Sequence, residues 1–171
     1  MNQGSETGAA VDLRPIQAED IPFLHRLYAS TREEELALLD WEQDQLDAFL
    51  EMQFEAQHSY YMEQFSQADF WIIQSSRVPI GRLYTERRPD EIRIIDISLL
   101  PGYRNQGIGS RYLREILAEA EAAGVAVRIH VEQFNPAMRL YERLGFQRIG
   151  DTGVYFLMEW RPDPEIQSLG E

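Results

Sequence analysis

The sequence predicts a single α/β domain with a mixed sheet, and three observations support that prediction. The apolar run at residues 92–100 is typical of a buried central strand, and a loop with two glycines and an amphipathic helix pattern follow it. Strand-like and helix-like segments alternate along the 171 residues, a length suited to one domain with a sizeable core. Hydrophobic residues make up 44% of the chain and charged residues 26%, which is typical of a globular protein.

The segments before the central strand are predicted from alternation and from capping residues. Residues 11–15 alternate polar and apolar side chains, which favours a short first strand. Asp20 is suited to cap a helix that ends near Ala29, and Thr31 is suited to cap a second helix. A long helical segment is predicted over residues 41–64.

Further strands flank the central one and are bounded by turn residues. The predicted strands cover residues 69–75, 78–85, 127–132, 147–149 and 154–160. With the helices, this predicts the order β, α, α, β, β, β, α, β, α, β, β. The domain is expected to span residues 11–161, with flexible ends at 1–10 and 162–171.

Composition excludes several classes of protein and of partner. The net charge of −13 disfavours nucleic acid and anionic membranes as partners. No segment approaches 18 uninterrupted apolar residues, and the polar start lacks the apolar core of a signal peptide, so we expect a cytoplasmic protein. The chain has no cysteine, which excludes disulfides and a cysteine nucleophile, and its three histidines are scattered, so no metal site is predicted.

A phosphate-binding loop is predicted between the central strand and the next helix. It consists of Arg104, Asn105, Gln106, Gly107, Ile108, Gly109 and Ser110. The first N–H groups of a helix lack partners inside the helix, the helix dipole is positive there, and glycine lets the backbone approach a phosphate closely. The glycine order differs from that of dinucleotide-binding loops, and a chain without lysine cannot carry the P-loop of nucleotide hydrolases.

A second motif follows the strand predicted at residues 127–132. It comprises Asn135, Pro136, Ala137, Tyr141, Gly145 and Phe146. Asn135 is suited to the N-cap of a helix and Pro136 to its first position. Gly145 is suited to the left-handed conformation that ends a helix.

The two motifs together resemble those of the GNAT-type N-acetyltransferase superfamily, in the same order and over roughly residues 92–160. The resemblance implies a mostly antiparallel sheet, flanked by helices, that splays where its two parallel strands separate. It also implies that acetyl-CoA binds as co-substrate. The loop at residues 104–110 would hold the pyrophosphate, and Leu99, Leu100 and Asn135 would make further contacts.

The resemblance assigns Tyr141 the protonation of the departing coenzyme A thiolate. A thiol with a pKa of about 8.5 and a phenol with a pKa of about 10 are close enough for such a transfer, although Tyr141 also fits a core stripe. The general base stays open between Asp96, Glu132 and Glu33. Ile95 stands where the family often has an acidic residue.

The acceptor is expected to be a small-molecule or peptide amine. Nine acidic residues oppose one arginine between residues 32 and 55, which favours a cationic amine. Two functions remain: an N-acetyltransferase in which the amine attacks the thioester directly, or a non-catalytic acyl-CoA-binding module with a regulatory role. Ile95 supports the second, and a homodimer is compatible with both.

Overall fold

A computed structural model describes residues 10–163, and in that part of the chain the strands form one seven-stranded sheet. The strands are β1 Val11–Pro15, β2 Asp69–Ser75, β3 Val78–Arg87, β4 Glu91–Leu99, β5 Ala126–Glu132, β6 Gln147–Asp151 and β7 Tyr155–Trp160. The helices are α1 Ile21–Leu36, α2 Gln43–Gln64, α3 Ile108–Ala123 and α4 Met138–Arg143. The predicted order of elements is confirmed. The expected flexible ends lie almost entirely outside the described residues.

The sheet is mixed, as predicted. Its order is β1-β2-β3-β4-β5-β7-β6, with β4 and β5 as the parallel pair and antiparallel pairing between the other neighbours. Helices cover both faces. The adjacent residues Ile72 and Ile73 of β2 belong to different buried clusters, one with α1 and α2 and the other with α3 and α4. Because successive strand side chains point to opposite faces, the two helix pairs lie on opposite sides of the sheet.

The expected splay lies between β4 and β5. Their pairing covers Glu91 to Ile94 against Ala126 to Ile129 and then stops, although both strands continue. A bulge begins at the same level: Thr85 of β3 opposes Ile94, whereas Tyr84 opposes Asp96, so Ile95 is an extra residue. Beyond it, β4 follows β3 and β5 follows β7, which opens a cleft.

Two capping predictions in α1 are wrong. Thr31 does not begin a second helix, because α1 continues to Leu36 and the Thr31 hydroxyl donates back to the carbonyl of Tyr28 at 2.7 Å. Asp20 precedes α1 without capping it. Its carboxylate instead accepts hydrogen bonds from Arg14 and from the N–H of Gln17, both at 2.7 Å.

The predicted start of α4 is early by two residues. The helix begins at Met138, so Pro136 does not occupy its first position. Asn135 nevertheless closes the preceding turn, because its Oδ1 accepts the N–H of Ala137 at 2.8 Å. Gly145 takes the predicted left-handed conformation with φ of 101°.

None of the helices within residues 10–163 is long and apolar enough to cross a membrane.

We expect Glu91→Gln to lower the free energy of unfolding by about 2 kcal/mol, the usual scale for hydrogen bonds to a charged group. Glu91 is buried, and its carboxylate binds Arg88 and Arg128, each at 2.6 Å. Burial raises the pKa of Glu91, but Arg128, Arg93 and Arg88 together hold it below its ordinary value. The carboxylate therefore stabilises the fold above its unfolded pKa of about 4.3, and this stability is lost as the pH falls through the lower folded value.

Urea titrations of both proteins between pH 7 and pH 3 measure this effect. The difference in unfolding free energy should be full at pH 7 and shrink as the pH falls. A difference that does not change with pH would contradict the electrostatic role of Glu91.

Candidate active site

The predicted phosphate loop presents a run of free backbone amides. Among the hydrogen bonds of residues 10–163, none is donated by a main-chain N–H of residues 105–110. The first main-chain bond of α3 runs from Arg111 N to Gly107 O at 3.0 Å. Asn105 and Gly107 have φ of 60° and 83°, which turns the chain sharply into the helix. Consecutive amides at a helix N-terminus form a binding site for an anion.

Side chains leave the space in front of these amides open. Arg104 and Gln106 fold back onto the loop, where Nε of Arg104 donates to Leu99 O and Nε2 of Gln106 donates to Gly102 O, both at 2.9 Å. A Cβ placed on Gly107 or Gly109 would meet no atom within 4 Å. The loop therefore offers main-chain amides and free volume, which suits a pyrophosphate.

The end of β4 exposes its main chain toward the cleft. Leu100 N donates to Ile80 O on β3 at 2.8 Å, and Leu99 lies opposite Gly81. Because hydrogen-bonded residues alternate in an antiparallel ladder, the N–H and C=O of Leu99 point away from β3, toward the side of β5. Gly81 is required here, since a Cβ on it would collide with the carbonyl oxygen of Ser98. The N–H of Leu99 is thus available to a ligand in the splay.

Asp96 is held in place by several hydrogen bonds. Its Oδ2 accepts from Nη2 of Arg82 at 2.7 Å and from the Tyr61 hydroxyl at 3.3 Å, and its Oδ1 accepts from Ser98 at 3.2 Å. The Arg82 side chain is only 3% exposed, so it needs a counter-ion, and it also donates to Gln57 of α2 at 2.8 Å. Burial and the Asp96 carboxylate raise the pKa of Tyr61. Asp96 thus links β3, β4 and α2.

Glu132 lies on the opposite side of the splay, at the end of β5. Its Oε1 binds Nη2 of Arg32 from α1 at 3.0 Å, and its side chain stays 35% exposed. Tyr155 of β7 is its cross-strand partner, and burial and the Glu132 charge raise the pKa of Tyr155. Glu132 is therefore the candidate base that solvent reaches more readily, since the Asp96 side chain is 17% exposed.

Glu33, the third candidate base, lies on the exposed side of α1. Glu35, two residues further along α1, accepts a hydrogen bond from Nη1 of Arg32 at 3.3 Å. The structure brings Asp96 and Glu132 to the splay and leaves Glu33 outside it.

Tyr141 is buried in α4 and packs edge-on against Phe146, with ring centroids 5.6 Å apart. Burial, with a contribution from the Asp96 charge, raises the pKa of Tyr141 above its ordinary value. The phenol therefore stays protonated at neutral pH, and its proton is available to a developing anion nearby.

Sequence reasoning did not identify Arg32, Arg82, Tyr61 and Tyr155. Arg82 gave a usable signal, because it is the charged residue in the otherwise apolar first part of β3, residues 78–84. The other three depend on contacts between distant elements and gave none. No group of three or more histidine, cysteine, aspartate or glutamate side chains within residues 10–163 could hold a metal ion.

Comparison with known proteins gives one family and a matching fold. Residues 25–146 match the model of the acetyltransferase (GNAT) family. The chain is 37% identical over 68 residues to N-alpha-acetyltransferase RimI of Mycobacterium tuberculosis, covering 40% of this chain and 42% of that protein. It is 26% identical over 115 residues to mouse N-acetyltransferase family 8 member 7, covering 62% of this chain and 50% of that protein. The chain thus spans about half the length or less of these curated relatives.

Among solved structures, the PaiA N-acetyltransferase of Thermoplasma acidophilum, crystallised with coenzyme A, shares the fold. The TM-score is 0.67 with 16% sequence identity, over 89% of this chain and 99% of that one.

Proposed function

Because the chain belongs to the GNAT acetyltransferase family, we propose that it transfers the acetyl group of acetyl-CoA to a primary amine by direct attack. The observation that carries this proposal is the run of free amides at residues 105–110 beside the splay of β4 and β5. These amides fit a pyrophosphate, and the N–H of Leu99 fits the thioester end of the same ligand. A cleft that only bound a phosphate would not need the second feature.

In this mechanism the chain orients the reactants and moves protons. The N–H groups near Leu99 polarise the thioester carbonyl while the amine nitrogen attacks it. The C–S bond breaks, and Tyr141 gives its proton to the departing thiolate. We assign proton removal from the amine to Glu132, directly or through water, because both oxygens of Asp96 already accept hydrogen bonds.

The alternative is an acyl-CoA-binding module without turnover. Ile95 favours it, and so does Asp96, which already accepts three hydrogen bonds, since neither residue is a dedicated base. Thiol release from acetyl-CoA with pooled amines separates the two. We expect release that depends on both amine and protein, and binding of coenzyme A without any release would favour the module.

We expect the Michaelis constant of the true acceptor to rise with ionic strength. Asp96, Glu132 and Glu35 outnumber Arg82 and Arg32 at the cleft, so the site should attract a cationic amine. Small polyamines, amino sugars and basic peptide N-termini carry that charge. Salt screens such attraction over about 8–10 Å.

Neutralising Glu33 and Glu34 together should raise the same Michaelis constant about two- to five-fold at low salt, with little effect at high salt. Both residues are exposed on the stretch of α1 that carries Arg32. The control is Asp12→Asn with Asp90→Asn, which removes the same charge from exposed positions on β1 and in the turn before β4. Equal effects of the two double variants, or no dependence on salt, would contradict local attraction.

A further inference from the structure

Arg32 is the arginine that extends from α1 to the end of the cleft. Its guanidinium lies over the Tyr28 ring, 5.4 Å from the ring centre, and the Tyr28 hydroxyl donates to Gln53 of α2 at 3.0 Å. The group is thus held from the helix side while Nη2 reaches Glu132. Because that carboxylate is the base assigned above, an amine bound to Glu132 presents its neighbouring substituent to Arg32.

The guanidinium of Arg32 has donor capacity beyond Glu132. It carries five N–H groups, and its Nη1 contacts with Glu35 are long, at 3.3 and 3.5 Å. Glu35 is largely exposed, and an ion pair with such a group is worth at most about 1 kcal/mol. An oxygen acceptor on the substrate can therefore replace Glu35 at little cost.

Proton removal favours one kind of amine. Asp96 already accepts three hydrogen bonds and Glu132 is shared with Arg32, so neither carboxylate is a dedicated base. At pH 7 about one in ten α-amino groups of peptides is unprotonated, against about one in 2,500 lysine-type amines. A weak base is therefore sufficient to deprotonate a peptide α-amino group but poorly suited to a lysine-type amine.

We propose that Arg32 donates to the carbonyl oxygen next to the acceptor's amine-bearing carbon, so that the acceptor is an α-amino carbonyl compound. The proposal rests on the acetyl transfer proposed above. Free amino acids and peptide N-termini share this chemistry. The peptide form is favoured because the glutamates around Arg32 would repel a free carboxylate, whereas a neutral carbonyl enters without that cost.

Three probes with one side chain and one acylatable amine test the proposal. They are arginine amide, arginine and agmatine, which carry a neutral carbonyl, a carboxylate and neither. For the wild type we expect kcat/KM to be highest for arginine amide. The variant Arg32→Met keeps the aliphatic stem on Tyr28 but also removes the partner of Glu132, so it changes kcat/KM for every probe. The loss for arginine amide should exceed the loss for agmatine about ten-fold or more. Comparing each probe between the two proteins cancels the differences in amine basicity.

Two further variants and a binding measurement complete the test. Arg26→Met removes an exposed arginine from the same helix and should change neither probe. Arg32→Lys keeps the positive charge without the planar guanidinium, and its kcat/KM for arginine amide should lie between those of the wild type and Arg32→Met. Calorimetry of arginine amide and agmatine on the protein saturated with coenzyme A gives the same comparison without turnover, and melting curves establish that each variant folds.

The outcomes are distinct. An equal loss for arginine amide and agmatine in Arg32→Met would make Arg32 a structural strap and overturn the inference, as would a wild type that prefers agmatine. A preference for free arginine that Arg32→Met abolishes would retain the α-amino carbonyl class and overturn the peptide form. Arg32-dependent binding of arginine amide without any thiol release would overturn the proposed catalysis and retain the recognition.

Discussion

Gly109→Glu is expected to abolish coenzyme A binding while leaving the fold intact. Gly109 lies in the first turn of α3, has ordinary helical geometry and faces open space, so a side chain fits without a clash. Gly109 belongs to the run of residues 105–110, whose main-chain amides donate no hydrogen bond among the described residues. A carboxylate about 4 Å from a phosphate costs up to about 4 kcal/mol at an effective dielectric constant near 20, which corresponds to a loss of affinity on the order of 10³-fold.

Two controls separate binding from folding. Ala118→Glu introduces the same charge at an exposed position further along α3 and should leave the dissociation constant unchanged. Gly107→Glu should also abolish binding, but at φ of 83° it strains the backbone by about 1–2 kcal/mol and should lower the melting temperature as well. Isothermal titration with coenzyme A is the measurement. Unchanged affinity for coenzyme A in both loop variants would show that the pyrophosphate does not bind at this loop.

The backbone geometry of the loop at residues 104–110 could be predicted because its determinants are local in sequence. Free amides follow from the start of a helix, and the left-handed conformation of Gly107 follows from a residue without a Cβ. The central strand was equally predictable, because burial on both faces produces a continuous apolar run. Such features depend on neighbours in the chain, so one sequence contains them.

Local signals failed where a residue found a partner elsewhere. Thr31 has the chemistry of a cap, but Leu24, Leu27 and Phe54 bury one continuous face of α1 against α2, and the helix continues through it. Asp20 has the same chemistry, but the positively charged Arg14 is close enough to bind its carboxylate. The stabilising free energy of these tertiary contacts is larger than that of a helix cap, which is about 1 kcal/mol.

The contacts among the residues proposed to bind the acceptor could not be predicted for a related reason. Arg32 and Glu132 are 100 positions apart, and nothing in either segment indicates the other. Asp96 was identified as a candidate, yet its role depends on Arg82, which the bulge at Ile95 brings onto the same face. Charged side chains in a cleft acquire their roles from their partners, and those partners come from four separate elements.

We expect Tyr141→Phe to lower the rate of acetyl transfer about 10²–10³-fold. General acid catalysis contributes typically 10²–10⁴-fold. The lower half of that range applies because the pKa of Tyr141 is raised, which makes the phenol a weaker acid toward a thiolate whose conjugate pKa is about 8.5. The same raised pKa keeps the phenol protonated, so Tyr141 should lose its proton only above about pH 10. Below that pH, the titration of Tyr141 should not contribute to the pH dependence of the rate.

Single-turnover kinetics with saturating acetyl-CoA measure the chemical step, and the Michaelis constant for acetyl-CoA should change little. Tyr112→Phe is a matched control, because Tyr112 is also buried in the cluster with α3 and α4 and its hydroxyl has no partner among the described residues. Both variants remove one hydroxyl group from a buried side chain and should have similar stability. If only Tyr141→Phe lowers the single-turnover rate, the lost step is proton transfer from Tyr141. If the two variants have equal rates, Tyr141 is a core residue and water protonates the thiolate.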